Sequence, residues 1–479
     1  MLSIEKYYDW DSYEAPSYKA PTRYGGIFVV TNEVVPRLPY NMRIIAWRGQ
    51  EKDPRKTPPT YEIFDGTTIV RPDEGLVLEK YERYGVEYRL SAIIPERELT
   101  KEEISQNLDL VFSHAGVDYS PHRSMEHLMW TGSYGLSIFN YTFAIPQFRD
   151  FILKISNEWQ SIPGGYVGTR IIQKKPWCVF IHGTEAGRRG GIKHFDNKVN
   201  AGPDENGFFA GNWLIRDIET GIGIKHADIV LVPSKLMVEE VRSYAIKHGV
   251  HRGLEKIFGI YHGVDTSVYK PREVEKGENP RILYIGRLSF VKGIICLFEV
   301  HNILKQGFPN LELHLIGAGE LEGWVKEYIT RNNLENVKLD TGWKTPEEKV
   351  DEMCKADVCC FPSTYEPSMM THFEAMASGR PVAIGFGGCR EHTVDDKTAI
   401  WIDPRKPMES AEKIRRVIKD EKYATEIGRN ARESVEKLYD WNKRLPAYSH
   451  VIDVMHTRNF SLLKELEEEL CPSPLKLFS

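Results

Sequence analysis

Residues 361–382 read FPSTYEPSMMTHFEAMASGRPV, and the way this stretch switches from strand to loop to helix sets the architecture. The run ADVCCF that ends at Phe361 is short, apolar and bounded by a turn, as expected of a buried strand. A loop holding Glu366 follows, then a helix that the spacing starts near Pro367 or Ser368. Pro367 suits the first helical position, Gly379 suits the left-handed position past the end, and Pro381 prevents continuation. Such a helix aims the free N–H groups of Ser368, Met369 and Met370 at the mouth of a strand, an arrangement suited to a phosphate. Glu366 and Glu374 stand eight residues apart, one before the helix and one about two turns into it. A diphosphate at the helix start would let Glu374 hold a ribose diol and Glu366 a hydroxyl of a transferred sugar. By spacing alone, a plainer reading wins, with Glu366 stabilising the helix dipole and Glu374 on the surface.

Working outward, the runs MRIIAW, LDLVFSH, WCVFIHG, ADIVLVPS, RILYIG, LELHLIG, ADVCCFPS and PVAIGFG all read as buried strands, with amphipathic helical stretches between them. Strands alternating with helices argue for parallel sheets covered on both faces, a doubly wound α/β architecture. The charged, proline-bearing segment TSVYKPREVEKGENP, residues 266–280, separates two series of strands and reads as a hinge. Two Rossmann-like halves facing each other would leave a cleft at the carboxyl ends of their strands.

Three further pieces face that cleft. RILYIGRLSFVKGIICLFEV places Arg287 and Lys292 in a glycine turn after a strand, which fits a phosphate cradle, whereas a lone basic pair is more often a solvated turn. VFIHGTEAG places His182 at a strand's carboxyl end. In APTRYGGIFVVTNEVVPRLPYNMRIIAW, Gly25 and Gly26 open an apolar stretch. IFVVTNEVVPRL reads either as a helix whose glycine start approaches a ligand closely or, by propensity, as a first strand IFVVT. DWD at residues 9–11 has the Asp-x-Asp form of some metal sites, but no apolar strand precedes it, so it reads as an exposed turn.

Composition narrows the function. The chain has 479 residues, 41% hydrophobic and 27% charged, with net charge −5, which is a globular balance without the basic field that would hold nucleic acid. Seven cysteines lack zinc-site spacing and disulfide density, so reduced thiols are expected. No stretch has the apolar length of a membrane span, and the N-terminus has no apolar core of a signal peptide, which together predict a cytoplasmic protein. The tail SLLKELEEELC has leucines at helical spacing. A docking helix or a homo-oligomer contact is open to it, and a solvated, partly frayed terminus is the expectation.

Taken in order, HGVD (262–265), YIGRLSFVKG, LIGAGELEGW, ADVCCFPSTYEPSMMTHFEAMASGRPV and GFGGCREHTVDD resemble the retaining glycosyltransferases of family 4, which include bacterial glycogen synthases, sucrose synthases and lipid mannosyltransferases. The resemblance implies a GT-B fold. Its N-terminal acceptor domain would be residues 1–272, joined by a return helix at 440–479, and its nucleotide-sugar domain residues 273–439. It implies that Arg287 and Lys292 bind the nucleotide diphosphate, that Glu374 binds the ribose, and that Glu366 contacts the donor sugar. Backbone amides near Met369 to Thr371, with Ser368 and Met370 among them, would meet the phosphates. His182 matches the histidine beside the reacting sugar, and Gly25 and Gly26 match the N-terminal glycine loop. Met369 departs from the glycine common at its position in the family. The implied partners are a nucleotide-sugar donor and a carbohydrate or other hydroxyl acceptor, with no metal and no cofactor. An α-glucan synthase and a non-catalytic carbohydrate-binding scaffold are the rival readings.

Overall fold

The computed structural model describes residues 34, 37, 38, 43–45, 61–64, 67–70, 76–83, 86–93, 111–118, 153–157, 162–172, 174–184, 216–319, 321–342 and 344–478. Gly25, Gly26, the DWD segment and nearly all of the stretch read as either a first helix or a first strand lie outside these residues.

Among the described residues, five strands precede residue 111. β1 (Arg43–Ile45) pairs parallel with β3 (Thr67–Val70), which pairs antiparallel with β2 (Tyr61–Phe64). β4 (Leu76–Arg83) and β5 (Val86–Ile93) form an antiparallel pair. Next comes a four-stranded parallel sheet in the order β6 (Lys154–Asn157), β7 (Trp177–Phe180), β8 (Ile229–Val232), β9 (Ile257–Gly259). Its two faces differ as the strand period requires. Cys178, Phe180, Ile229 and Leu231 join the large core that includes the second sheet, while Val179, Ile181, Val230 and Val232 pack with Met237, Val241 and Ala245 of helix α1 (Lys235–Lys247).

The second sheet has six parallel strands in the order β12 (Val337–Asp340), β11 (Glu312–Ile316), β10 (Arg281–Ile285), β13 (Val358–Phe361), β14 (Val382–Ile384), β15 (Ile400–Trp401). Helices α2 (Ile294–Leu304), α3 (Glu322–Arg331), α4 (Pro346–Lys355), α5 (Met370–Ala377), α6 (Pro407–Lys419) and α7 (Glu421–Ser434) connect and cover it. Helix α4 shows how local sequence fixes a boundary: Thr345 caps it, Glu348 completes the capping box, and Pro346 occupies the first turn. The strand order reverses between β10 and β13, so a crevice opens there at the carboxyl ends of the strands.

Two of the sequence readings are corrected. The VFSH end of LDLVFSH, the part among the described residues, is not a strand: residues 111–115 are helical, and Val111, Phe112 and Ala115 are buried while Ser113 and His114 are exposed. Burial at i, i+1 and i+4 marks one face of a helix, which a short apolar run does not separate from a strand. The tail is also not frayed. Helices α9 (Leu462–Glu465) and α10 (Glu467–Leu470) bury Leu463, Leu470 and Cys471 after the long helix α8 (Trp441–Thr457). Buried Arg444 of α8 donates to the carbonyls of Tyr261, Glu469 and Leu470, and the Tyr261 N–H donates to the Leu470 carbonyl at 3.0 Å.

The two segments that connect the sheets meet. Val264 and Asp440 form a parallel β-bridge, the Val264 N–H donates to the Tyr439 carbonyl at 2.8 Å, and the Trp441 N–H donates back to Val264 at 3.1 Å. A side chain at Gly263 would strike the Trp441 ring and the Tyr439 carbonyl, which accounts for the glycine of HGVD. All seven cysteines are buried and free of disulfides. No helix among the described residues is long and apolar enough to cross a membrane.

Candidate functional site

Loops leaving β10, β11, β13 and β14 converge over the crevice, and glycines let their backbones touch. A Cβ at Gly293 would collide with the Pro362 carbonyl, one at Gly317 with the Gly286 carbonyl, and one at Gly319 with that of Leu288. Gly385, Gly387 and Gly388 lie in the same way against the carbonyls of Ser363, Glu366 and Pro367. Gly293 (φ 72°) and Gly387 (φ 116°) also hold backbone angles that a side chain strains. The result is a floor of main chain, able to approach a polar ligand without side chains between.

Lys292 and Glu366 stand on the two sides of that crevice. Lys292 ends the turn after β10, Glu366 lies in the loop after β13, and the ammonium donates to Glu366 Oε2. Glu366 is 5% exposed, so the pair is largely withdrawn from water and its Coulomb attraction is stronger than at a surface. Arg287 is exposed at the start of the same turn, and its carbonyl accepts from the Tyr284 hydroxyl at 2.6 Å.

The helix after Glu366 begins later than its sequence suggests. Helix α5 runs from Met370 with Met369 as its extended N-cap (φ −119°, ψ 132°), so Pro367 and Ser368 belong to the loop. The reason is tertiary: the Gly388 N–H donates to the Glu366 carbonyl at 2.7 Å, and the 385–388 loop packs along residues 363–367, which holds them out of a helix. The leading amides are therefore those of Met370 and Thr371, with Met369 at the cap. Ser368 Oγ is buried and has no hydrogen-bond partner in the structure.

Glu374 is not a surface residue. It is 3% exposed, its Oε1 accepts from Lys349 Nζ of α4 at 2.6 Å, and its Oε2 is buried without a hydrogen-bond partner. A buried carboxylate oxygen with lone pairs to spare can accept from a hydroxyl that reaches it.

His182 follows β7 in the first domain. Its ring stacks on His262 with centroids 5.6 Å apart and meets Phe180 edge-on at 4.2 Å. Burial lowers its pKa to about 3, and that of His372 in α5 likewise to about 3. His262 and His392 are also held well below the ordinary histidine value by burial. His262 Nδ1 is 2.8 Å from the Tyr448 hydroxyl, and His392 Nδ1 is 3.3 Å from His372 Nε2. These rings are neutral at physiological pH, so His182 presents a hydrogen-bonding edge rather than a charge.

The first and second domains touch beside these groups through residues that the sequence did not single out. The Thr184 N–H donates to the Tyr365 hydroxyl oxygen at 3.3 Å, and the Tyr365 and Thr184 hydroxyls both donate to Glu240 Oε1 of α1. Glu391, after β14, accepts from the Lys235 N–H (2.7 Å), from the Leu236 N–H and from the Tyr261 hydroxyl (2.8 Å). The position of Tyr365 beside Glu366 was the one local signal; the carboxylates of Glu240 and Glu391 carried none.

The profile of the family described as glycosyl transferases group 1 matches residues 265–434. The glycogen synthase of Mycobacterium tuberculosis is 25% identical over 278 residues, which cover 58% of this chain and 62% of that protein. The chain thus spans under two thirds of that relative's length. Among solved structures, sucrose-phosphate synthase from Thermosynechococcus elongatus aligns with a TM-score of 0.57 and 19% identity, covering 92% of each chain. Anabaena HepE in complex with UDP-glucose aligns with a TM-score of 0.50 and 21% identity, covering 64% of this chain and 80% of that one. Residues 265–434 thus match the glycosyl transferases group 1 model, and the two parallel-sheet α/β domains have the GT-B fold of the solved structures they align with.

Proposed function

We propose that this chain is a retaining, family 4 hexosyltransferase that moves a sugar from a nucleoside diphosphate donor to an acceptor hydroxyl. The observation that carries the reading is the Lys292–Glu366 pair at the reversal point of the second sheet. In the reaction the anomeric carbon's bond to the diphosphate oxygen breaks, a bond to the acceptor oxygen forms on the same face, and the acceptor proton passes to the departing phosphate. The chain's task is to stabilise charge on the leaving group. Lys292 and Arg287 supply cations, the amides at the start of α5 supply a partial positive charge, and Glu366 takes hydroxyls of the sugar. Glu374 holds the ribose through its second oxygen, and neutral His182 hydrogen-bonds the reacting sugar from the first domain.

In this reading residues 1–272, with the return at 440–479, form the acceptor side and residues 273–439 the donor side. Transfer proceeds without a divalent metal, because Lys292, Arg287 and the helix terminus already provide positive potential. The similarity to a glycogen synthase favours one narrower reading, an α-glucan acceptor. UDP-, ADP- and GDP-hexoses, offered with glucan, monosaccharide and lipid acceptors, test the proposal through nucleotide release and the anomeric configuration of the product. No release from any donor, or a β-linked product from an α-linked donor, overturns it. A rate abolished by EDTA and restored by magnesium or manganese overturns the metal-free mechanism.

A further inference from the structure

We propose that Glu240 is a positioning residue that holds the His182 loop and the Glu366 loop in register across the domain junction. The inference rests on the proposed donor site for the roles of those two residues. Its own ground is a closed triangle of hydrogen bonds joining three distant parts of the chain. Thr184 lies two residues after His182, and Tyr365 directly precedes Glu366. The Tyr365 hydroxyl has one proton, and Glu240 Oε1 at 2.9 Å takes it. The hydroxyl oxygen then accepts the Thr184 N–H at 3.3 Å. The Thr184 hydroxyl closes the figure by donating to the same Glu240 oxygen.

Glu240 is itself well placed to fix both loops. Its helix α1 is capped by Ser234, whose hydroxyl accepts from the Met237 N–H at 3.3 Å, and its first amides are gripped by Glu391 of the second domain. The Tyr365 hydroxyl also lies 3.4 Å from the sulfur of Met237, one turn before Glu240 on the same helix face. Tyr365 therefore rests along α1 rather than touching it at one point. A carboxylate suits the role because its oxygen is acceptor-only and takes both hydroxyls together. Without it the two donors lose their common partner, and the loops bearing His182 and Glu366 are free to separate. Sugar transfer is sensitive to displacements of about 1 Å between groups on opposite sides of the reacting centre.

The test compares Glu240→Ala, Glu240→Gln, Tyr365→Phe and the control Glu239→Ala, an exposed neighbour that pairs with Arg242. Hydrogen exchange is followed in a peptide containing Thr184, with binding of UDP, GDP and ADP by calorimetry and release of nucleotide from the corresponding hexose donors. Expected for Glu240→Ala and Tyr365→Phe are faster exchange at Thr184, a fall in kcat of about tenfold and an unchanged Kd for the nucleoside diphosphate, whose proposed contacts lie in the second domain. Glu240→Gln, which keeps an acceptor, should recover part of both losses, and Glu239→Ala should change neither. Unchanged exchange at Thr184, or wild-type kcat in Glu240→Ala, overturns the assignment while leaving the donor reading standing. Failure of the wild-type chain to bind any of the three diphosphates overturns the donor reading itself, and with it the catalytic purpose of Glu240.

Discussion

The ammonium of Lys292 rests on the carboxylate of Glu366 although 74 residues separate them. In the proposed reaction each has a separate partner, the lysine a phosphate and the glutamate a sugar hydroxyl. Donor binding must therefore exchange this ion pair for two ligand contacts, and the pair keeps each group aimed at the crevice beforehand. Glu366→Gln should lower turnover by about one to two decades with little change in binding, the scale of a lost charged hydrogen bond. Lys292→Met should instead raise the Kd for the nucleoside diphosphate. Steady-state kinetics and calorimetry on the folded variants check both, and wild-type values in either would remove that residue from the site.

Glu374 differs because its charge is already matched. Its pairing with Lys349 is nearly enclosed, the two side chains being 4% and 15% exposed. Lys349→Met leaves a buried carboxylate without its counter-ion and should cost about 3 to 5 kcal/mol of stability. Adding Glu374→Gln should return much of that loss, whereas Glu374→Ala alone should weaken nucleotide-sugar binding. Denaturant unfolding of the two single variants and the double variant measures the coupling, and strictly additive effects would show that the pair is not a unit.

Half-buried His182 and the buried His262, His372 and His392 make the fold acid-sensitive. An unfolded histidine titrates near 6.5, whereas His182 and His372 are lowered to about 3 in the fold. Between those values the unfolded chain binds more protons, so the stabilisation is complete above pH 6.5 and is lost as pH falls toward 3. The unfolding temperature should drop between pH 7 and pH 5. His392→Phe, which keeps the ring among Phe373, Tyr261 and Tyr439, should flatten that slope. Superimposable pH profiles for variant and wild type would assign the acid sensitivity elsewhere.

Glu391 joins the domains by accepting two N–H groups at the start of α1 and the Tyr261 hydroxyl. Glu391→Ala removes all three acceptances, and losing the acceptor for the first two amides of α1 alone should cost about 1 kcal/mol. The ligand-free chain should then show a larger radius of gyration by small-angle scattering, with a lower unfolding temperature. If both quantities stay at their wild-type values, Glu391 is not what holds the junction.

The sequence by itself determined the parts governed by near neighbours in the chain. Buried strands such as RILYI and VCCF announce themselves because parallel strands covered on both faces must be apolar throughout. Glycines in GFGG and HGVD, and the cations of GRLSFVKG, stand at strand ends where a loop must turn tightly. The doubly wound α/β architecture followed from the order of these pieces, and its GT-B form from the family resemblance they carry. Only the tertiary structure decided what depends on distant contacts. The start of α5 moved to Met370 because a loop from β14 occupies the preceding backbone. Residues 111–115 took a helix in which burial has helical spacing, and the tail docked because Arg444 offers donors to its carbonyls. Likewise Lys349 withdraws Glu374 from the surface, and Glu240 and Glu391 reach across the junction from positions with no local motif. Their partners lie on other elements, so no window of sequence contains both ends of the interaction that gives each residue its place.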